Sequence, residues 1–277
     1  MPADRILAKI TSCAADASPL NLTLLEMIDS MTLFIGCAGW SLRKEFAAEF
    51  PGEGSHLERY AGRFNGVEIN SSFYRPHRLS TYQRWAESTP PGFAFAVKMP
   101  KRITHTQRLI DAQPLIEQFA AEIAGLGDKL SVVLVQLPPS LMFREAVAEP
   151  FFRDLQRTLA CPVACEPRHR SWFEPEAEQL LVDAGVSRVA ADPSVVPAAA
   201  EPGGASQLRY VRWHGSPQMY YSSYEAAALH ALAARLREFA DQSDPLWCIF
   251  DNTAEGAATS NALQLLEWLG SHVKDAR

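Results

Sequence analysis

The stretch Val132–Leu137, with the sequence VVLVQL, is apolar at every position except Gln136. A segment of this kind buries both faces of a β-strand, which is typical of parallel sheets covered by helices. Seven other short β-rich segments recur along the chain, and nearly all of them end in a charged, amide or aromatic residue. They are Leu33–Cys37, Gly66–Asn70, Phe93–Lys98, Val163–Glu166, Arg188–Asp192, Leu208–His214 and Leu246–Asn252.

Most intervals between these segments have the length of a helix. Repeated units of one strand and one crossover helix predict an α/β fold, here a single (β/α)₈ TIM barrel. We expect residues 31–277 to form this barrel domain and residues 1–30 to be a poorly ordered N-terminal extension. Residues 193–207 are rich in proline, alanine and glycine, so the sixth crossover helix is expected to be short or absent.

The composition restricts the class of protein. The chain has 277 residues, 47% of them hydrophobic, and a formal net charge of −6 at pH 7. The acidic charge disfavours broad binding to nucleic acid or anionic membranes, and no apolar run approaches the ~20 residues of a membrane-spanning helix. Cys37, Cys165 and Cys248 fall inside predicted strands. We therefore expect buried, reduced thiols and a cytoplasmic protein.

The ends of the predicted strands carry the residues that could do chemistry, because TIM-barrel active sites lie at the carboxyl ends of the strands. Glu68 and Asn70 alternate with Val67 and Ile69, so both polar side chains are expected to face the barrel mouth. A carboxylate in that position needs a partner or a function. Glu68 is therefore either a catalytic group or one half of a structural ion pair.

Two further strand ends combine a titratable group with an arginine. Glu166 is followed by Arg168, which suits a general acid or base near a bound anion, although a simple salt bridge is the alternative. Arg212 and His214 share one face of their strand. The predicted catalytic residues are Glu68, Glu166, His214 and Asp251. The predicted substrate-binding residues are Asn70, Tyr74, Lys98, Gln136, Arg168, Trp172, Asp192, Arg212 and Asn252. For Tyr74 and Trp172, simple packing is the alternative.

Seven motifs follow one another along the chain: IGCAGW (35–40), VEINSSFY (67–74), FAVK (95–98), QLPPS (136–140), EPRHRSWF (166–173), RWHG (212–215) and FDNT (250–253). In this order they resemble the YecE-like family, domain of unknown function 72. The resemblance covers about residues 33–270. It implies a TIM-barrel fold but no particular reaction, because no firmly established activity belongs to that family.

Three classes of function fit these residues. We favour a hydrolase or lyase for a small polar or anionic substrate that bears phosphate or carboxylate. No cofactor is predicted for this class. The second class is a hydrolase or isomerase that depends on a divalent metal, although the interleaved arginines and Lys98 would compete with the metal. Its ligands would come from Glu68, Glu166, Asp192, His214 and Asp251. The third class is a noncatalytic barrel that binds a small ligand.

Overall fold

Parallel strands that alternate with helices make up most of the protein. The computed structural model describes residues 33–240 and 245–275, and the predicted N-terminal extension, 1–30, lies outside the described residues. The strands are β1 (Leu33–Cys37), β2 (Gly66–Ile69), β3 (Ala94–Lys98), β4 (Leu130–Gln136), β5 (Val163–Glu166), β6 (Val186–Arg188), β7 (Ala190–Asp192), β8 (Gly203–Gly204), β9 (Arg209–Trp213) and β10 (Leu246–Phe250). The protein therefore has an α/β fold with parallel-rich sheets.

In the described part of the chain, the strands pair in two sheets. One has the strand order β1-β10-β9-β7, and the other has the order β2-β3-β4-β5-β6-β8. The pairs are parallel except that of β6 with β8. The register pairs Gln136 with Glu166, so the polar ends of β4 and β5 are level.

The two sheets meet at one edge, but the single closed barrel predicted from the sequence is not confirmed. An isolated parallel bridge joins Ala38 to Glu68, next to the hydrogen bond that the Gly39 amide donates to the Glu68 carbonyl at 2.9 Å. At the other edge, Val189 alone separates β6 of one sheet from β7 of the other. Within the described residues, no continuous ladder runs around all of the strands.

Helices occupy the intervals between most of the strands. They are α1 (His56–Ala61), α2 (Leu79–Glu87), α3 (Gln113–Ile123), α4 (Glu145–Thr158), α5 (Pro175–Asp183), α6 (Ala226–Ala240) and α7 (Ala257–Asp275). Shorter elements are the 3₁₀ helices Lys44–Phe46, Ser71–Phe73, Ala124–Lys129, Arg170–Phe173 and Pro197–Ala200, and the π-helix Arg102–Thr106. Across the described ranges, none of the helices is both long and apolar enough to cross a lipid bilayer.

The segment after β7 departs from the strand–helix alternation, as its composition predicts. It forms only the turn Pro197–Ala200 and the short strand β8 before β9 begins. Arg188 holds this segment in place: its Nη1 donates hydrogen bonds to the carbonyls of Ala198 at 2.9 Å and Glu201 at 3.1 Å. The predicted strand Arg188–Asp192 is wrong in its bounds, because two short strands, β6 and β7, cover this region.

Alternate strand positions contribute to two different hydrophobic clusters. Val67, Val133 and Val163 pack in a large cluster with helix residues such as Phe119 and Phe152. The second cluster takes the intervening positions of the strands and their flanks. It contains Ala38, Ala94, Ala96, Val132, Leu134, Ala164, Val189, Leu208, Tyr210, Trp247 and Ile249. Because successive strand side chains point to opposite faces, the second cluster occupies the face away from the helices.

Gly36 lies where β1 passes closest to the start of β2. A Cβ atom at this position would be 2.0 Å from the Gly66 carbonyl oxygen and 2.6 Å from the Tyr60 hydroxyl. That hydroxyl accepts a hydrogen bond from the Cys37 amide at 2.8 Å and donates one to the Gly66 carbonyl at 3.1 Å. The contact therefore has no room for a side chain.

We expect Gly36→Ala to lower the free energy of unfolding by about 1–3 kcal/mol, because overpacking forces the backbone to shift. Urea denaturation measures the change. Gly62→Ala is the control, since Gly62 has φ −76° and its Cβ would meet the nearest atom at 3.3 Å. Equal losses for the two variants would contradict the steric explanation.

Candidate active site

The strand face that carries the second cluster ends in polar residues. Five residues of the cluster are each followed, two positions later, by a polar residue on the same face. The pairs are Ala96 and Lys98, Leu134 and Gln136, Ala164 and Glu166, Tyr210 and Arg212, and Ile249 and Asp251. All of these polar side chains are buried. Since the main strands are parallel, their carboxyl ends lie at the same edge of the sheets. The strand face that is apolar along most of each strand therefore becomes polar at the carboxyl ends. We call this set of buried polar residues, with Glu68, the charged layer.

Arg212 lies at the centre of this charged layer, with its side chain fully buried. Its Nε donates to Glu68 Oε2 at 2.9 Å and its Nη2 donates to Glu68 Oε1 at 2.7 Å, a bidentate pair. Nη2 also donates to Asp251 Oδ2 at 3.0 Å, and Nη1 donates to Glu166 Oε2. One guanidinium thus binds three carboxylates that come from separate parts of the sheets.

The two carboxylates nearest His214 are held ionised. Burial by itself raises the pKa of Glu166, but Arg168, Arg212 and His214 bring that pKa well below its usual range. Burial likewise raises the pKa of Asp251, and this effect is outweighed by Arg212 and by His214. Neither group is therefore a proton donor at neutral pH.

Glu68 is fixed by two neighbours on β9. In addition to Arg212, the Tyr210 hydroxyl donates a hydrogen bond to Glu68 Oε2 at 2.9 Å. Burial raises the pKa of Tyr210, and the charge of Glu68 raises it further, so the hydroxyl keeps its proton. The structural ion pair considered for Glu68 is present, with Arg212 as its partner.

His214 lies between two carboxylates. Its Nδ1 is 3.0 Å from Asp251 Oδ2, and its Nε2 is 3.2 Å from Glu166 Oε1. Nε2 is also 3.5 Å from Nη2 of Arg168. Each ring nitrogen of His214 thus faces a carboxylate oxygen, and Nε2 also faces the guanidinium group of Arg168.

Arg168 connects this layer to the exterior, since 13% of its side chain is exposed. Its Nε donates to Glu166 Oε1 at 2.7 Å, so the predicted salt-bridge alternative is confirmed. Its Nη1 donates to the Tyr220 hydroxyl at 2.6 Å. Tyr220 has a φ of 71°, in the left-handed region that non-glycine residues rarely adopt.

Lys98 differs from Arg168 and Arg212 because its ammonium group has no hydrogen-bond or ion-pair partner in the described ranges. The Nζ atom lies 4.4 Å from the centroid of the Phe73 ring, a cation–π contact. Among the described residues it forms no hydrogen bond or ion pair. Burial lowers the pKa of Lys98, and Arg212 lowers it further, while Asp251, Glu68 and Glu166 act in the opposite direction. The Lys98 ammonium group is thus buried without a hydrogen-bond or ion-pair partner in the part of the chain that the structure describes.

Three other predicted ligand-binding residues lie at the ends of β2 and β4. Tyr74 is 75% exposed and lines a cavity of about 330 Å³ together with Phe73 and Lys101. The Oδ1 atom of Asn70 is buried and has no hydrogen-bond partner in the described part of the chain. Gln136 donates a hydrogen bond to the Leu137 carbonyl at 3.0 Å. Tyr74 is therefore accessible to a ligand, whereas Asn70 has a buried oxygen without a hydrogen-bond partner in that part of the chain.

The structure gives Trp172, Asp192 and Asn252 internal partners. Trp172 is 1% exposed, and its Nε1 donates to the Leu141 carbonyl at 2.9 Å, which fits the packing alternative. Asp192 Oδ1 accepts a hydrogen bond from the Tyr224 hydroxyl at 2.6 Å. Asn252 Nδ2 donates to the Ser222 carbonyl at 2.9 Å and to another asparagine at 2.8 Å. The contacts of Trp172 and Asp192 give no support to a role in substrate binding, whereas Asn252 Oδ1, like Asn70 Oδ1, is buried without a hydrogen-bond partner among the described residues.

Tyr210 and Tyr220 belong to the site but are absent from the residues predicted from sequence. Tyr210 stands two positions before Arg212 on the same strand, so strand alternation was a sufficient signal for it. Tyr220 lies in a loop and reaches Arg168 across 52 positions of sequence. No local pattern indicates a contact of that kind.

Metal ligation finds little support in this arrangement. In residues 33–240 and 245–275, no group of three or more histidine, cysteine, aspartate or glutamate residues has a geometry suited to a metal ion. The carboxylates of Glu68, Glu166 and Asp251 bind a guanidinium group instead.

Replacing Arg212 tests the importance of the charged layer. We expect Arg212→Met to lower the free energy of unfolding by about 3–5 kcal/mol, because three buried carboxylates lose their common partner. Arg153→Met is the control, since the exposed pair of Arg153 with Glu149 is worth less than about 1 kcal/mol. Urea denaturation of both variants gives the comparison, and similar losses would show that the layer contributes no more than a surface pair.

Low pH should lower the free energy of unfolding, because Glu166 and Asp251 then become protonated. Their folded pKa values are lowered, so the stability that they contribute is complete above the unfolded pKa of about 4 and is lost as the pH falls through the folded values. Urea midpoints measured between about pH 6 and pH 3 should therefore decrease, and Glu166→Gln should make that decrease shallower. A decrease of unchanged slope in this variant would contradict the assignment.

Comparisons with known proteins agree with this architecture. The family model described as "Protein of unknown function DUF72" matches residues 34–277. The UPF0759 protein YunF of Bacillus subtilis (strain 168) is 26% identical over 269 residues, which cover 86% of this chain and 94% of that protein. The UPF0759 protein YecE of Escherichia coli (strain K12) is 31% identical over 176 residues, which cover 60% of this chain and 61% of YecE.

Solved structures of the same family share the fold. A DUF72 family protein from Thermotoga maritima MSB8 superposes with a TM-score of 0.71 at 24% identity, covering 86% of this chain and 98% of that one. A second one, from Enterococcus faecalis V583, has a TM-score of 0.72 at 20% identity and covers 86% of this chain and 95% of its own. With the family model matched along nearly all of the described residues, the chain belongs to the DUF72 family of proteins of unknown function.

Proposed function

We propose that this protein is an enzyme of the hydrolase or lyase type that acts on a small anionic substrate at the carboxyl ends of the strands. One observation carries the proposal: the His214 ring is held by Asp251 at 3.0 Å, while its other nitrogen lies next to Glu166 and the partly exposed Arg168. An oriented imidazole beside a cation that solvent can reach is suited to proton transfer on a bound anion.

The roles of the carboxylates follow from their partners. Glu166 is ionised and bound by two guanidinium groups, so it is a poor proton donor and a weak base. We therefore assign proton transfer to Nε2 of His214 and a positioning role to Glu166 and Asp251. Glu68 is further from the chemistry, since it acts through Arg212 and Tyr210.

Lys98 and Arg168 are proposed to bind the substrate anion. The Lys98 ammonium group forms no hydrogen bond or ion pair with a described residue, and Arg168 has exposed surface, so we assign both cations to the substrate anion. In a hydrolase, His214 Nε2 would take a proton from the attacking water and return it to the leaving group. In a lyase, it would take the proton from a carbon next to an acidic group and return it to the eliminated group.

We also propose that the two sheets form the two halves of one (β/α)₈ barrel. The parallel bridge between Ala38 and Glu68 supports this idea at one junction. At the other junction the Val189 amide, between β6 and β7, donates a hydrogen bond to the Cys165 carbonyl at 2.9 Å. A crystal structure in which these junctions remain open would contradict the closed barrel.

The reaction is proposed to take place in the cytoplasm. Cys37, Cys161, Cys165 and Cys248 are free and buried. Burial raises the pKa of Cys37 to about 12 and that of Cys161 to about 11, so these thiols are inert at neutral pH. Unpaired structural cysteines are typical of a reducing compartment.

Turnover assays with phosphate monoesters and small hydroxy acids test the proposal. For any substrate found, His214→Gln should lower kcat by roughly 10²–10⁴-fold, because the proton-transfer group is lost. His56→Gln is the control and should retain full activity, because the His56 side chain is exposed at the start of helix α1. Full activity of the His214 variant would refute the assignment, whereas ligand binding without turnover would indicate a noncatalytic binding protein.

A further inference from the structure

Three parts of the chain line the cavity of about 330 Å³ that contains Tyr74. They are the segment after β2, which includes the 3₁₀ helix Ser71–Phe73, the segment after β3, which includes the π-helix Arg102–Thr106, and α3. His214 and Arg168, to which the proposed chemistry is assigned, are not among its lining residues. We call this space the Tyr74 cavity.

Buried contacts hold the walls of the Tyr74 cavity in place. The Ser72 hydroxyl donates a hydrogen bond to the Lys98 carbonyl at 2.6 Å and lies 2.9 Å from the Ile69 carbonyl, so it joins the ends of β2 and β3. Ile103 and Phe119 also line the cavity, and both belong to the large hydrophobic cluster. The cavity is therefore built on the core of the protein and does not need a ligand to form.

Tyr74 gives the cavity an exposed aromatic ring. At 75%, its exposure is the highest among the large hydrophobic side chains in the described ranges. The ring packs edge-on against Phe73, with 5.0 Å between the ring centroids, and this contact leaves most of Tyr74 in solvent. Exposed apolar surface is unfavourable in water, and a planar ligand that packed against the ring would cover it.

Three cations line the same cavity without a protein partner. Arg75, Lys101 and Arg102 are exposed, and none of their side chains forms a hydrogen bond or an ion pair with a described residue. Among the described lining residues only Glu122 is acidic, and its Oε1 accepts a hydrogen bond from Gln118 Nε2 at 2.8 Å. In a chain of net charge −6, this local excess of positive charge is complementary to an anion.

We propose that the Tyr74 cavity is a binding site for a small aromatic compound that carries an oxyanion group. The ring of the ligand packs against Tyr74 and the apolar lining, and the three cations bind the oxyanion. The volume is near the lower end of the ~300–1,000 Å³ that is typical of small-molecule sites, which suits one ring and one anionic group. The inference goes beyond the proposed function, because the cavity contains none of the groups assigned to proton transfer or to the substrate anion.

Phenylphosphonate is a suitable probe, because it joins one aromatic ring to one oxyanion and has no ester bond that an enzyme could hydrolyse. Calorimetric titration gives its affinity for the natural protein. We expect it to bind at least about tenfold more tightly than methylphosphonate, which lacks the ring, and than benzamide, which lacks the charge.

Substitution of two exposed residues tests where the probe binds. Tyr74→Ala and Lys101→Met should each weaken phenylphosphonate binding by about fivefold or more, because a ring contact or a charge-assisted hydrogen bond is lost. Tyr221→Ala and Lys44→Met are the matched controls, since both residues are exposed and neither lines this cavity. The two controls and His214→Gln should bind the probe as the natural protein does.

Two outcomes would overturn the inference and leave the proposed function intact. The first is an affinity for phenylphosphonate no higher than that for methylphosphonate and benzamide. The second is full affinity in both Tyr74→Ala and Lys101→Met, which would place the probe elsewhere on the protein. Full turnover by His214→Gln would instead refute the proposed function without affecting the Tyr74 cavity. Urea denaturation of each variant verifies that it is folded.

Discussion

The burial of one arginine among three carboxylates is the constraint on which the site depends. Arg212 on β9 holds Glu68 of β2, Glu166 of β5 and Asp251 after β10 within hydrogen-bonding distance. A charge buried without its partner is strongly unfavourable, so a shift in any of these strand ends would be opposed by the remaining charges. The same contacts that hold the strand ends together also set the positions of the groups assigned to chemistry.

The strands could be predicted from local pattern, because burial of both faces leaves a clear apolar signal. Leu33–Cys37 and Val163–Glu166 have the predicted bounds. The strand predicted at Gly66–Asn70 ends at Ile69 in the structure, because Asn70 has φ −88° and ψ −19° and precedes the 3₁₀ helix Ser71–Phe73. Local pattern does not determine how the two sheets meet. The bridge between Ala38 and Glu68 joins residues that are distant in sequence, and such a contact leaves no periodic signal.

The polar residues of the site were predictable as a set, whereas their partners were not. Glu68, Glu166, Arg212, His214 and Asp251 were predicted together because they lie at or near the ends of predicted strands, and these residues do form one network. The sequence does not specify that Asn252 and Trp172 bind internal groups. Equally, no sequence pattern indicates that His105 shares an aromatic ring with Lys98. Such pairings arise only when distant loops meet.

The two histidines lie in opposite electrostatic surroundings, and this contrast separates their roles. His214 contacts two carboxylates and is held by one of them at each ring nitrogen. Burial and neighbouring cations lower the pKa of His105 to about 4. A ring fixed by carboxylates is suited to directed proton transfer, whereas nearby cations disfavour the protonated form of a ring. Arg168 contacts the His214 ring and has exposed surface, so an anion bound at Arg168 would lie beside the group assigned to proton transfer.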